Sequence, residues 1–118
     1  MGDSHDEQTA QARSRTEHWV EVGTLNTTQL AKRIDVDGID VLMDMAGHTS
    51  QHRMQLFARR AAPVQVTYLG YPGSTGVLNM DFILGDSVVT DAACAGIYTE
   101  QVRRLPGTVF CYAPEEDY

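Results

Sequence analysis

The side chains best suited to chemistry fall in two short stretches, DMAGHT (Asp44 to Thr49) and GYPGSTG (Gly70 to Gly76). His48 carries the one side chain that ordinarily titrates near neutrality, so it is a candidate acid/base group or substrate contact. A role limited to hydrogen-bonding and closing a loop fits it equally well. Asp44 ends an apolar run, where an unpaired carboxylate is costly. It can orient His48 or accept a substrate hydroxyl, or it can cap the loop that follows. In GYPGSTG a glycine recurs at every third position. Its backbone N–H groups, helped by the Ser74 and Thr75 hydroxyls, suit a phosphate. Yet the stretch lacks a Walker A lysine and the G-x-G-x-x-G spacing of a dinucleotide site. A plain turn, with Pro72 fixing φ and Gly73 taking a positive φ, is the alternative.

Further candidates are weaker. His48 and His52 lie four residues apart, with Asp44 four upstream, but no H-E-x-x-H pattern accompanies them and no metal site is expected. Asp81 and Asp86 flank an apolar run and read as strand-end residues. Trp19 and Tyr68 read as packing residues.

These loops need a frame to hold them. Residues 1–8 are polar and acidic and are expected to fray, although the residue types from Asp6 to Glu17 favour a marginal helix. HWVEV (His18 to Val22) alternates apolar and polar as a half-buried strand does. A helix capped by Thr27 or Thr28 runs to about Asp35, with Leu30 and Ile34 on one face, and Gly38 stops it. The run from Ile39 to Met43 reads as a strand buried on both faces. A second helix is expected over about Gln51 to Arg60, with Ser50 as its cap. VQVTYL (Val64 to Leu69) and MDFILGD (Met80 to Asp86) are further strands, and YTEQVRRLPG a brief turn or helix. Strands alternating with helices imply right-handed crossovers and a layered, parallel α/β sheet. In such sheets ligands collect beyond the carboxyl ends of the strands. Both chemical stretches lie at such ends.

The composition narrows the function. With 118 residues the chain is about one domain. Its net charge of −7 argues against general nucleic-acid binding, because no basic field displaces counterions. No apolar run is long enough to span a membrane. The N-terminus lacks the basic and apolar parts of a signal peptide, which makes the cytoplasm the expected compartment. Cys94 and Cys111 are too few for a disulfide scaffold and are expected to be reduced and semi-buried.

Asp37 to Gly76, DGIDVLMDMAGHTSQHRMQLFARRAAPVQVTYLGYPGSTG, resembles the catalytic region of the protein O-linked N-acetylglucosamine transferases, especially their bacterial and SPINDLY-like members. The family pattern is a strand, D-[LM]-[AN]-G-[HY]-T, a helix ending F-A-x-R-P-A-P, and a strand leading into L-G-Y-P-G-[TS]-[ST]-G. Met80-Asp81-Phe82 and the segment from Tyr98-Thr99-Glu100 to Arg104-Leu105-Pro106 match its later elements. The match runs from about Asp6 to Pro114. Ala61 departs from it, standing where the first proline of R-P-A-P is usual, and Gly85 stands where many members have Thr or Ala.

The resemblance implies a three-layer, Rossmann-like parallel sheet forming part of the N-terminal half of a GT-B glycosyltransferase, over residues 9–114 with a tail at 115–118. It implies an inverting, metal-independent transfer of N-acetylglucosamine from UDP-N-acetylglucosamine to Ser or Thr hydroxyls of proteins, with no cofactor. Asp44 and His48 would then be the catalytic-side polar residues. Gly47, Thr49, Gly70, Tyr71, Pro72 and Gly73 would line the sugar and acceptor cleft. Since relatives can carry tyrosine in place of His48, a polar contact suits it better than an obligatory base. The partners implied are the nucleotide-sugar donor, a protein acceptor, a C-terminal catalytic half and upstream tetratricopeptide repeats, with no nucleic acid and no membrane. Alone, the half-domain is expected to be inactive and to expose apolar surface. The reading from a different class is a non-catalytic scaffold or protein-interaction module that keeps the fold.

Overall fold

The computed structural model describes residues 6–112; the expectations for residues 1–5 and for the tail at 115–118 lie outside them. Helix α1 spans Glu7–Ser14, and the Asp6 carboxylate caps it by accepting from the Thr9 N–H at 2.8 Å. It therefore begins inside the stretch expected to fray. It buries no residue, as its scarcity of apolar positions implies. The next expected element does not form. Among the described residues His18 to Val22 pairs with no strand, and Trp19, expected to pack, is 37% exposed with its indole N–H donating to Glu21. Alternation alone does not make a strand when no neighbouring edge completes its hydrogen bonds.

Helix α2 spans Thr27–Val36. Its cap is Asn26, not Thr27 or Thr28. The Asn26 side chain accepts from Gln29 N–H at 2.9 Å, while the Gln29 side chain accepts from the Asn26 N–H at 3.0 Å. This reciprocal box satisfies two donors at the helix start. Gly38, at φ +64°, ends the helix as its sequence position predicts. Strand β1 (Val41–Asp44) leads to a short helix α3 (Met54–Ala58), which starts at Arg53 with no side-chain cap, so Ser50 does not serve as one. Arg53 instead reaches back to the carbonyls of Leu25 and Val22, at 2.9 and 3.2 Å, and pins the turn before α2.

Strands β2 (Val64–Tyr68), β3 (Phe82–Gly85) and β4 (Gln101–Arg104) complete a four-stranded sheet in the order β1-β2-β3-β4, parallel throughout. β4 replaces the turn or helix expected for its segment. A 3-10 helix, Ala92–Ile97, lies in the crossover between β3 and β4. The crossover from β2 to β3 carries no helix, so the segment from Leu69 to Asp81 must satisfy its backbone in other ways.

Buried Gln65 does part of that. Its amide donates to the carbonyls of Phe57 and Asn79, both at 2.8 Å, and its oxygen accepts from Ala61 N–H at 3.0 Å. Asp81 accepts from both outer nitrogens of Arg60 and from Gln65 N–H, and the guanidinium holds its carboxyl below the usual carboxylate range.

Leu30 and Ile34 of α2, Met54, Leu56 and Phe57 of α3, Ala62, and Met80 of the crossover pack into one core. It lies on the sheet face that carries Leu42, Gln65 and Ile83, since alternate residues of a strand share a face. Val41 and Met43 point to the other face and are 54% and 44% exposed. The expectation that this run is buried on both faces is thus corrected. β1 is an edge strand, and among the described residues its second face lacks a covering layer.

Candidate functional site

Asp44 is the last residue of β1 and is buried. Its Oδ1 accepts from the Ala46 N–H at 3.2 Å, and its Oδ2 from the Gly47 N–H at 2.8 Å and the Thr67 hydroxyl at 3.2 Å. Of the roles open to it, capping the loop is the one these contacts describe, and none of them reaches His48. The Thr49 hydroxyl donates to the Ala46 carbonyl at 2.7 Å, tightening the same loop. Gly47, at φ +55°, takes a backbone conformation that side chains resist. His48 is thereby lifted into an exposed position beyond the strand.

The second loop meets the first at close quarters. A Cβ on Gly70 would fall 1.6 Å from the Met45 carbonyl oxygen, and one on Gly47 would fall 2.0 Å from the Tyr71 Cβ. These two glycines serve loop-to-loop contact. The His48 ring stands edge-on to Tyr71, with centroids 5.6 Å apart, and its Nε2 lies 2.6 Å from the Thr75 carbonyl oxygen. A carbonyl can only accept, so Nε2 carries the proton, and in the neutral ring Nδ1 is left as an acceptor. An exposed imidazole with an acceptor nitrogen suits a hydroxyl donor.

His52 does not complete a metal pair. Its Nδ1 accepts from the Met54 N–H at 3.3 Å, which puts the neutral ring's proton on Nε2. No group of three or more His, Cys, Asp or Glu side chains positioned to hold a metal occurs among the described residues.

GYPGSTG does not form the turn that its sequence suggests, and the hydroxyls expected to assist a phosphate are engaged within the chain. Gly76, at φ +68°, takes the left-handed conformation; Gly73 does not. The Ser74 hydroxyl donates to Glu100 Oε2 at 2.8 Å, and the Thr75 N–H donates to Glu100 Oε1 at 2.7 Å. The Thr75 hydroxyl makes a short hydrogen bond to the same Oε1. Both loop hydroxyls and the Thr75 N–H are thus committed to a carboxylate, which would itself repel an anion nearby. Burial pushes the Glu100 carboxyl up, but the hydrogen bonds from Thr75 and Ser74 outweigh it and leave the group below its ordinary range. Pro72 is exposed, and its carbonyl accepts from the Tyr98 hydroxyl at 3.3 Å, while Gly73 lies under the Tyr71 ring.

The structure thus brings together Asp44, Gly47, His48, Thr49, Gly70, Tyr71, Pro72 and Gly73 at the carboxyl edge of β1 and β2. Beside the same loop lies an apolar cavity of about 80 Å³, walled by Leu69, Tyr71, Pro72, Leu84, Val109 and Phe110 among others. Asp86, another buried carboxylate, accepts from the Val88, Val89 and Val109 N–H groups, and so holds two residues that line this cavity, Val89 and Val109. Those bonds, led by Val89, hold its carboxyl low. Cys94 and Cys111 are exposed and unbridged. Tyr68 is half-buried as a packing residue, and its hydroxyl donates to the Val109 carbonyl at 3.0 Å.

The residue at this sheet edge to which the sequence assigns no role is Glu100. Its partners lie 25 and 26 residues away, and no local pattern announces a contact of that span. The adjacent hydroxyls of Ser74 and Thr75 were the available signal, and they suggested an anion rather than a carboxylate of the chain itself.

Comparison with known proteins places this geometry. The sequence profile of glycosyl transferase family 41 matches residues 3–115. The chain is 36% identical over 97 residues to the probable UDP-N-acetylglucosamine–peptide N-acetylglucosaminyltransferase SEC of Arabidopsis thaliana, covering 82% of this chain and 10% of that protein. It is 37% identical over 98 residues to the UDP-N-acetylglucosamine–peptide N-acetylglucosaminyltransferase of Caenorhabditis elegans, covering 82% of this chain and 8% of that one. A solved structure, a mutant of the Thermobaculum terrenum O-GlcNAc transferase, superposes with a TM-score of 0.89 at 36% identity, over 95% of this chain and 22% of its own. The chain therefore spans about a tenth of the length of these curated relatives. The fold is that of this O-GlcNAc transferase structure over most of the chain, and the chain belongs to glycosyl transferase family 41.

Proposed function

We propose that this chain supplies the acceptor-side wall of the cleft in an inverting GT-B enzyme that moves N-acetylglucosamine from UDP-N-acetylglucosamine to Ser or Thr hydroxyls of proteins. The single observation that carries the reading is the interlock of two strand-end loops, with Gly70 against Met45, Tyr71 against Gly47, and His48 held on the Thr75 carbonyl. Transfer requires a hydroxyl held in line with the anomeric carbon, so the wall beside it must be rigid. Two loops that brace each other meet that need.

In this reading the His48 Nδ1 accepts a hydrogen bond from a sugar or acceptor hydroxyl, and Tyr71 and Pro72 form the adjoining apolar surface. Asp44 acts through the loop it caps and does not touch the reactants. The diphosphate leaving group needs its developing charge stabilised. This chain offers a carboxylate behind its glycine-rich loop, so that task falls to another part of the enzyme. No cofactor or metal enters the scheme, and the 118 residues alone turn nothing over.

The test uses the longer protein that carries these residues, labelled UDP-N-acetylglucosamine and a Ser/Thr peptide. Label transferred to the peptide by the longer protein, and none by the 118 residues alone, is the expected result. Failure of the longer protein to transfer from this donor to any hydroxyl peptide overturns the reading and leaves a scaffold with the same fold.

A further inference from the structure

Glu100 immediately precedes β4 and is 4% exposed, and its carboxylate accepts three hydrogen bonds from one distant loop. Thr75, equally buried, is gripped there by both its N–H and its hydroxyl. Those two bonds fix Thr75 at φ and χ1, and the Gly76 N–H, which shares the peptide plane of the Thr75 carbonyl, is held by the Ser74 hydroxyl that Glu100 also binds, so the direction of that carbonyl is set. That carbonyl is the acceptor for His48 Nε2, at 2.6 Å. Ser74 extends the grip: its hydroxyl donates to Glu100 and accepts from the N–H groups of Thr99 and Gly76, both at 3.2 Å. The Thr75 hydroxyl likewise accepts from Val77 N–H at 3.2 Å.

From this connectivity we infer that Glu100 is a positioning residue, which sets the His48 ring and its free Nδ1 by fixing Thr75 between them. The carboxylate acts on one side of the loop and the imidazole reads the result on the other. A carboxylate with three donors from one loop is a strong, directional anchor, because charge-assisted hydrogen bonds are shorter and stronger than neutral ones. Packing could have been supplied by an apolar residue of similar size. Holding a backbone carbonyl at a chosen angle could not. This assignment of Glu100 rests on the proposed transferase only for its consequence in rate, not for the coupling itself.

The coupling is tested by selective ¹⁵N-histidine labelling of the intact protein, following solvent exchange of the His48 Nε2–H proton. In the wild type the bonded proton should exchange more slowly than that of His52. Thr75→Val keeps the carbonyl but removes a hydroxyl that Glu100 holds, and exchange should quicken about tenfold for that one bond. Glu100→Ala should abolish protection. Glu100→Gln should restore most of it, since the amide oxygen can still accept from Thr75 while the amide N–H₂ donates to Ser74. Wild-type exchange in both Thr75→Val and Glu100→Ala overturns the inference; should Glu100→Ala not fold, Thr75→Val decides alone.

The rate consequence is read as a double-mutant cycle in the longer enzyme. If Glu100 acts through His48, Glu100→Ala costs about a hundredfold in kcat/KM in the wild-type background and nothing further in His48→Ala. Additive losses would overturn the route through His48. An enzyme that transfers no sugar at all would instead sink the functional reading, and the exchange data would still decide the coupling.

Discussion

The two loops at the sheet edge are both held by a buried carboxylate, but from opposite distances. Asp44 holds its own loop, accepting from N–H groups two and three residues further along. Glu100 holds a loop 25 residues away, on an element that follows it by two strands. The first is a local strand-end cap whose residues travel together in the sequence. The second exists only once β2, β3 and β4 have paired. A short-range anchor therefore survives local rearrangement, whereas a long-range one reports on the whole sheet.

The largest expected effect comes from forcing the two loops apart. Gly70→Ala places a methyl inside the Met45 carbonyl, where backbone rather than a flexible side chain must yield. A loss of about 3 kcal/mol in urea unfolding is expected, at the upper end of overpacking costs. Gly76→Ala is the matched control: it meets open space and adds only the strain of a positive φ, roughly 1–2 kcal/mol. Equal losses at the two positions would show that the loops are not interlocked.

Next in size is the local anchor. Asp44→Ala strands the buried Gly47 N–H and the Thr67 hydroxyl, and should cost about 2 kcal/mol by the same measurement. Asp44→Asn keeps one acceptor oxygen and should cost less.

Smaller again is Ala61→Pro, which installs the proline expected from the family pattern. Here the Ala61 N–H donates to Gln65 Oε1, so proline removes a satisfied bond and should lower stability by about 1 kcal/mol. A gain in stability would mean that Gln65 re-pairs without cost.

The gentlest probe is pH. Glu100 and Asp86 have folded pKa values below their ordinary ones, so each binds its proton more readily when unfolded. Their stabilisation is present above the unfolded carboxylate range, around pH 4, and drains as pH falls through the lower folded values. Glu100→Gln should therefore flatten the acid limb of a stability-versus-pH curve while leaving its slope between pH 6 and 8 unchanged.

The same contrast explains what could be read from the sequence. α2, β1, β2 and β3, with Leu30 and Ile34 on a common face, follow from periodicity and from Gly38, because those signals are local. The two strand-end loops were legible for the same reason. Three features were not. HWVEV alternates like a strand, but no edge pairs with it. QVRR carries two arginines and little apolar periodicity, yet it is β4 because β3 offers it a free edge. The hydroxyls of GYPGSTG were visible, while the carboxylate that consumes them was too distant to be inferred.

The central claim is that His48, braced by the second loop, faces the transferred sugar or its acceptor. The most direct measurement is the rate of N-acetylglucosamine transfer by the longer protein carrying His48→Ala, beside His52→Ala. The two rings lie 5.7 Å apart, but only His48 is held on the opposing loop. The account predicts a loss of about a hundredfold for His48→Ala and a wild-type rate for His52→Ala. A wild-type rate for a folded His48→Ala protein would contradict it.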